Sequence, residues 1–189
     1  MTEPSSIHEQ LKDLLTREGA AFRVVEHEAE GRTELIAKIR GNRTEQAVKS
    51  IVVMIRFGKD APRYALANVP GDCRVDLKAI RDLFGGTQSA FAPREKAEEL
   101  TGCVIGSIPP FSFNDQLEVL ADPLIQENEE VVFNAGRLDR SIFVKRSDFF
   151  RVAKPRLAST DRRAKYPETS STPNTRKNVV TIGRISATA

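Results

Sequence analysis

Val48-Lys49-Ser50-Ile51-Val52-Val53-Met54-Ile55 is the stretch on which the fold turns. It is β-branched and nearly continuous in apolar residues, the pattern of a strand covered on both faces. Gly58-Lys59-Asp60-Ala61-Pro62 supplies a turn, and Tyr64-Ala65-Leu66-Ala67-Asn68-Val69 returns as a second strand. Together they predict an antiparallel hairpin. Pro70-Gly71-Asp72 breaks the second strand.

On the N-terminal side, Ile7, Leu11, Leu14 and Leu15 recur at helical spacing, with Ser5 or Ser6 as the cap and Gly19 as the stop. Phe22-Arg23-Val24-Val25 reads as a short strand. Thr33–Arg40 reads as a helix with Leu35, Ile36 and Ile39 on its apolar face, ended by Gly41-Asn42. On the C-terminal side, residues 76–84 predict a helix stopped by Gly85-Gly86, residues 88–92 a strand, and residues 93–100 a helix with Pro93 in its first turn and Gly102 past its end. A loop rich in Gly and Pro follows at 106–111. Residues 117–121, 130–133 and 141–145 read as strands, and Asp148 is a cap for a last short helix with Phe149, Phe150 and Val152. Short strands and helices without a regular βαβα alternation point to an α+β domain.

The chain has 189 residues, enough for one domain with its own core, and its 40% hydrophobic and 29% charged content suits a globular protein. No apolar run nears the roughly 18 residues of a membrane span. The polar start, Met1-Thr2-Glu3-Pro4-Ser5-Ser6, lacks a signal pattern, so the cytoplasm is the expected compartment. Cys73 and Cys103 are therefore expected as thiols. Two histidines, His8 and His27, with no CxxC or HExxH, argue against a metal site.

Charge is uneven. Lys154, Arg156, Arg162, Arg163, Lys165, Arg176, Lys177 and Arg184 face only Asp161 and Glu168, so the tail carries +6 and the remainder −3. Residues 155–189 lose apolar periodicity and are rich in Ser, Thr, Pro and basic types, which sets the expected boundary: a folded domain at 1–154 and a flexible basic tail at 155–189. Val179-Val180-Thr181-Ile182 is a short segment able to dock. A basic tail either contacts a polyanion or is simply solvated.

Five places have a functional reading beside a structural one. Lys49 sits in a buried strand, where an ammonium group loses hydration, unless it snorkels to water at the strand end. The loop Gly106-Ser107-Ile108-Pro109-Pro110-Phe111 combines a backbone able to approach a ligand with two stiffening prolines; it also reads as a surface turn. His27, at a strand-to-helix junction, lines a pocket or lies on the surface. Asp72 beside Gly71, and Asn134 near Gly136, place small polar groups at strand ends, where sites and turns are both built. There is no GxSxG, Walker loop, strand-borne GxGxxG, kinase or zinc-deaminase signature, and no nucleophile–base pair.

Taken in order, six segments resemble the YbaK/EbsC family, which includes the insertion editing domain of prolyl-tRNA synthetases. They are Val48-Lys49-Ser50-Ile51-Val52-Val53, then Ala65 through Asp72, then Val75-Asp76-Leu77-Lys78, then Ala97-Glu98-Glu99-Leu100-Thr101-Gly102, then Gly106 through Phe111, and finally Val132-Phe133-Asn134-Ala135-Gly136. The resemblance covers about residues 5–153. It implies a single compact α+β domain with a curved, mixed and mostly antiparallel sheet and peripheral helices. It also implies hydrolysis of the ester joining a wrong amino acid to the terminal adenosine of a tRNA, without cofactor or metal. Lys49 matches the family's strand lysine, and Gly106 and Pro110 match its GxxxP loop, which makes Lys49 and Gly106 the catalytic candidates. His27, Asp72, Ser107, Ile108, Pro109, Pro110, Phe111, Asn134 and Gly136 are the candidates for substrate binding. The expected partner is mischarged tRNA, with an aminoacyl-tRNA synthetase as a second one.

The segments Ala29-Glu30-Gly31-Arg32-Thr33-Glu34 and Ile39-Arg40-Gly41-Asn42 depart from the spacing of the cysteinyl- and alanyl-tRNA editing members, so substrate identity does not carry over from them. Three other functions fit the residues: a non-catalytic module binding tRNA or a synthetase, an enzyme acting on a small aminoacyl ester, and a structural adaptor.

Overall fold

Ser6 caps the first helix through its hydroxyl, which accepts from the Glu9 N–H at 3.3 Å. The computed structural model describes residues 6–163. α1 (Ile7–Arg17) buries Leu11 and Leu15 completely. β1 (Phe22–Glu26) follows, then α2 (Thr33–Arg40), which stops at Gly41 with φ of 74°. The left-handed stop suits glycine, which has no Cβ to clash. A 3-10 turn at Thr44–Gln46 leads into β2 (Val48–Phe57) and β3 (Asp60–Pro70), and β4 (Cys73–Val75) comes after the Gly71 turn. α3 (Leu77–Phe84) is capped by Asp76, whose carboxylate accepts from the Ala79 N–H at 3.1 Å. β5 (Gln88–Phe91) and α4 (Arg94–Thr101) precede the long loop to β6 (Leu117–Ala121). After a 3-10 turn at Pro123–Glu127 come β7 (Glu130–Arg137), β8 (Arg140–Lys145), α5 (Arg146–Ala153), β9 (Arg156–Leu157) and β10 (Asp161–Arg163).

The expected hairpin is the centre of the main sheet. β2 and β3 pair antiparallel from Val48 with Pro70 to Phe57 with Asp60, and the sheet order is β5-β2-β3-β6-β9. β6 and β9 join in parallel. Both faces of the hairpin are covered. Val53, Ile55, Ala65, Ala67 and Val69 pack with Ile80 of α3 on one side. Val52 and Leu66 pack with Ala97, Leu100, Ile108 and Leu117 on the other. A second sheet, β1-β8-β7, is antiparallel throughout. It shares a core with α1 and α5 built on Leu11, Leu15, Phe133, Ile142 and Phe149. The two sheets touch at one parallel bridge, Ala47 to Val132. β4 and β10 form a third, two-stranded sheet. The α+β reading holds, with antiparallel pairs predominating and helices at the periphery.

Three local readings change. β7 runs on to Arg137, so Asn134 and Gly136 lie within a strand, at a bulge between Asn134 and Arg137. Asp148 lies inside α5 rather than capping it; its carboxylate accepts from the Ala21 N–H at 3.1 Å and pairs with Arg151. The chain also stays in the fold past the expected boundary at 154. β9 and β10 add to two sheets, and Thr160 is fully buried. Residues 164–189 of the basic tail, including the stretch 179–182, lie outside the described residues. Among the described residues no helix is long and apolar enough to cross a membrane.

Candidate functional site

The two sheets and α2 enclose a cavity of about 200 Å³. Gly31 of the loop before α2 and Ala47 before β2 are part of its wall, and four elements supply the rest. α2 contributes Thr33, Ile36 and Arg40; the start of β2 contributes Val48 through Ile51; the loop after α4 contributes Ile105, Gly106 and Ile108; and β7 contributes Phe133 and Asn134. Lys49 and the Gly106 loop, far apart in sequence, thus share one cavity.

Lys49 does not snorkel to bulk water. Its Nζ donates to the Cys73 carbonyl at 2.6 Å and to the Gly71 carbonyl at 3.3 Å. Burial pushes its pKa below the usual lysine range, and the Glu34 carboxylate opposes that shift. Charge-assisted hydrogen bonds of this kind contribute about 1.5–3 kcal/mol, which offsets part of the desolvation. The acceptors are fixed in turn. The Gly71 N–H donates to the Ala47 carbonyl at 2.8 Å, and any side chain at 71 would run into the Thr44 carbonyl and Thr33. Only glycine lets this turn close against the 3-10 segment.

Asn134 ties two loops together. Its Nδ2 donates to the Gly106 carbonyl at 2.8 Å and to the Glu30 carbonyl at 3.0 Å. Gly31 and Gly106 meet backbone to backbone: a Cβ built on Gly106 would stand 2.9 Å from the Gly31 Cα. Gly106 has φ of +90°, a conformation that other residues adopt only with strain. The 28–32 loop is folded around the Glu30 carboxylate, which accepts from the Gly31 and Arg32 N–H groups and from the Arg32 guanidinium. Arg32 holds that carboxyl at about 2.

Arg40 is the residue the sequence reading missed. It is 8% exposed, and burial lowers its pKa to about 10. Its Nε donates to Asn42 Oδ1 at 3.0 Å and one terminal nitrogen to Ser141 Oγ at 3.0 Å. Among the described residues it has no carboxylate partner within ion-pair distance, an uncommon state for a buried cation. The signal was present: Arg40 stands four residues after Ile36, on the buried face of α2.

His27 stands one layer behind. Its Nδ1 donates to the Glu28 carbonyl at 2.8 Å, which leaves Nε2 to face the Ser141 hydroxyl at 2.7 Å. The Ser141 hydroxyl is also 3.0 Å from Asn134 Oδ1, so His27, Ser141, Asn134 and Arg40 form one network around it. Burial, seconded by the Arg40 charge, lowers the His27 pKa below 6.5 against the pull of the Glu28 carbonyl and Asp139.

Of the residues expected from sequence, Lys49, Gly106, Ile108 and Asn134 are on the cavity wall. His27, Asp72, Ser107, Pro109, Pro110, Phe111 and Gly136 are not; they support it. Asp72 sits in the turn that binds Lys49. Ser107 is buried with its hydroxyl on the Val104 carbonyl, and its own carbonyl accepts from the Gly136 N–H at 2.9 Å. Pro109 and Pro110 are buried, and Phe111 packs on Phe133 and Phe149 with ring centroids 5.6 Å apart in each pair. The loop is stiff because its far end is part of the core. Among the described residues no cluster of three His, Cys, Asp or Glu side chains could hold a metal.

A family model described as the aminoacyl-tRNA editing domain matches residues 27–152, a span that contains the whole cavity wall. The chain is 41% identical over 165 residues to the Multifunctional Ser/Thr-tRNA deacylase ProXp-y of Escherichia coli (strain K12), across 87% of this chain and 98% of that protein. The same-named protein of Escherichia coli O157:H7 matches to the same extent. A solved structure described as a candidate trans-editing enzyme for prolyl tRNA synthetase superposes with a TM-score of 0.69 and 25% identity, covering 85% of this chain and 99% of the other. The hypothetical protein APE2540 superposes with a TM-score of 0.73 over 81% of this chain and 99% of its own, at 18% identity, a likeness of fold alone.

Proposed function

The chain belongs to the aminoacyl-tRNA editing domain family and is a trans-acting deacylase of mischarged tRNA; from that premise we propose that seryl and threonyl esters are its substrates and that the cavity between Lys49 and Gly106 is where they are hydrolysed. The observation that carries this reading is the charge of the wall. Among the described residues it holds two cations, Lys49 and Arg40, and no carboxylate. A wall of that sign stabilises negative charge, which is what an ester carbonyl develops when water attacks it. The cavity's 200 Å³ is also below the roughly 300–1,000 Å³ of pockets that enclose a whole drug-sized ligand. It takes the amino-acid end and leaves the terminal adenosine outside, beside the exposed apolar side chains of Val104 and Ile105.

In this mechanism a water oxygen bonds to the ester carbonyl carbon. The Gly106 N–H, which has no acceptor among the described residues, donates to the resulting oxyanion, and the field of Lys49 and Arg40 stabilises it. The bond from that carbon to the ribose oxygen then breaks. The proton lost by the water passes through the neighbouring ribose hydroxyl to the departing oxygen, giving a free amino acid and a free tRNA end. The substrate's own hydroxyl fills the role of a base, since the wall carries neither carboxylate nor imidazole. The enzyme works in the cytoplasm, where aminoacyl-tRNA is used, and the basic C-terminal segment adds contact to the tRNA backbone. An aminoacyl-tRNA synthetase is its second partner.

Lys49→Ala tests the reading. With a panel of mischarged tRNAs, wild type should release serine and threonine, and the variant should lose at least about 100-fold in kcat/KM. A melting curve run alongside checks the fold. Unchanged turnover by a folded variant refutes the role of Lys49. Binding of tRNA by wild type without release of any amino acid makes the chain a non-catalytic module.

A further inference from the structure

Behind the cavity wall, three polar atoms are buried without a hydrogen-bond partner in the protein: Ser50 Oγ and both side-chain heteroatoms of Asn68. Ser50 is on the wall, and Asn68 is fully buried. The two residues face each other across the hairpin, in register between β2 and β3. Directly opposed residues of an antiparallel pair project to the same face, with Cβ atoms roughly 4.5–5.5 Å apart. That face is the one carrying Val52 and Leu66, which pack on Ile108 of the cavity loop.

A buried polar atom left unpaired costs about 1–3 kcal/mol, so such atoms are rare and call for an explanation. Three at adjacent positions in the middle of a sheet stand out behind a wall to which Ile36, Ile105, Ile108 and Phe133 bring apolar side chains alongside Lys49, Arg40, Thr33 and Asn134. A partly apolar wall, with the unpartnered Ser50 hydroxyl and the Asn68 carboxamide buried directly behind it, suits a small side chain that ends in a hydroxyl.

We propose that the Ser50 hydroxyl binds the side-chain hydroxyl of the esterified amino acid, and that Asn68 positions Ser50 from behind through one water. The inference rests on the deacylase reading above and deepens it, because it assigns the choice of β-hydroxy amino acids to named groups. A serine ester then gains a hydrogen bond that an alanine ester cannot make, while the alanine ester leaves Ser50 and Asn68 unpaired. A site built to hydrogen-bond a hydroxyl disfavours the analogue that lacks it, because its own polar group is then left unpaired.

The test uses the full chain and two non-hydrolysable probes, adenosine carrying seryl or alanyl in amide linkage at its 3′ position. Wild type should bind the seryl probe at least about tenfold more tightly. Ser50→Ala should bring the two affinities within about twofold by weakening the seryl probe alone. Ser50→Thr, which keeps the hydroxyl, should preserve the preference, and Asn68→Leu should narrow it without changing affinity for the alanyl probe. An unchanged preference in Ser50→Ala overturns the assignment. So does loss of the preference in Thr33→Val, which removes the other neutral hydroxyl on the wall. Deacylation of seryl- and alanyl-tRNA measured alongside separates the two readings. Selective binding without hydrolysis overturns the deacylase and keeps the Ser50 assignment; hydrolysis without selectivity does the reverse.

Discussion

Replacing Gly106 with alanine tests whether the meeting of two glycines holds the cavity wall in place. Two costs add at this position. A residue with a Cβ held at φ of +90° incurs about 1–2 kcal/mol of backbone strain. The new methyl also stands 2.9 Å from the Gly31 Cα, backbone that Asn134 holds through the Glu30 carbonyl, so it cannot move aside cheaply. Overpacking of that kind costs about 1–3 kcal/mol more. Gly58 is the control. It has φ of +64° and nothing within 4 Å of its added Cβ, so Gly58→Ala carries the strain without the clash. For a chain of this size each kcal/mol shifts the melting midpoint by about 2–4 °C. Gly58→Ala should therefore lower it by roughly 2–8 °C and Gly106→Ala by roughly 4–20 °C. Below both midpoints, kcat/KM of Gly106→Ala on mischarged tRNA should fall by about 10- to 100-fold, because displacement of the turn misplaces the oxyanion donor. If Gly106→Ala melts with Gly58→Ala and turns over like wild type, the glycine contact neither stabilises the fold nor positions the site.

Because the folded pKa of His27 is lowered below 6.5, the unfolded chain binds more protons there, so stability rises with pH up to 6.5. His27→Gln should flatten that slope in denaturant midpoints measured between about pH 5 and 7, and an unaltered slope would assign it to other groups. Burial raises the Cys73 thiol to about 12 and the Cys103 thiol to about 11. At neutral pH a thiol reagent should label neither in the native protein and both in urea, as read by mass; fast labelling of either contradicts its buried position. Truncation after residue 163 should weaken tRNA binding most at low salt. Truncation after residue 154 should lower the midpoint as well. It removes the Thr160 N–H from the Asp122 carboxylate and the Thr160 carbonyl from the Asp76 N–H, both at 2.7 Å. Equal midpoints for the two truncations would show that β9 and β10 add no stability.

The hairpin and the helices were legible because their signals are local. β-branched runs, helical spacing and glycine stops act within a few residues of themselves. Lys49 stood out for the same reason, as a charge inside a strand. What the sequence could not show is what the lysine touches, since the Gly71 and Cys73 carbonyls reach it only after β2 and β3 pair. Asn134 was legible as a substrate-binding candidate with turn chemistry as the alternative, but not as a tie between loops, because its two acceptors, Glu30 and Gly106, are remote from it and from each other. Arg40 was passed over because basic residues at the end of a helix are ordinary there; the spacing from Ile36 was the clue. β9 and β10 were hidden by composition. They are short and lie at the start of a stretch rich in polar and basic residues, and they are held by backbone pairing rather than by an apolar stripe.

The pairing of two cations with no acid on the cavity wall also dictates how an ester can enter. Every aminoacyl ester brings an α-ammonium group of its own, and a low-dielectric recess already occupied by Lys49 and Arg40 repels it. With hydrolysis at this cavity, as proposed, the substrate should be oriented with its amine turned outward to water and its carbonyl inward. An enzyme loaded this way judges an amino acid by its side chain and is indifferent to its amine, so an N-acylated ester should be cleaved about as readily as a free one.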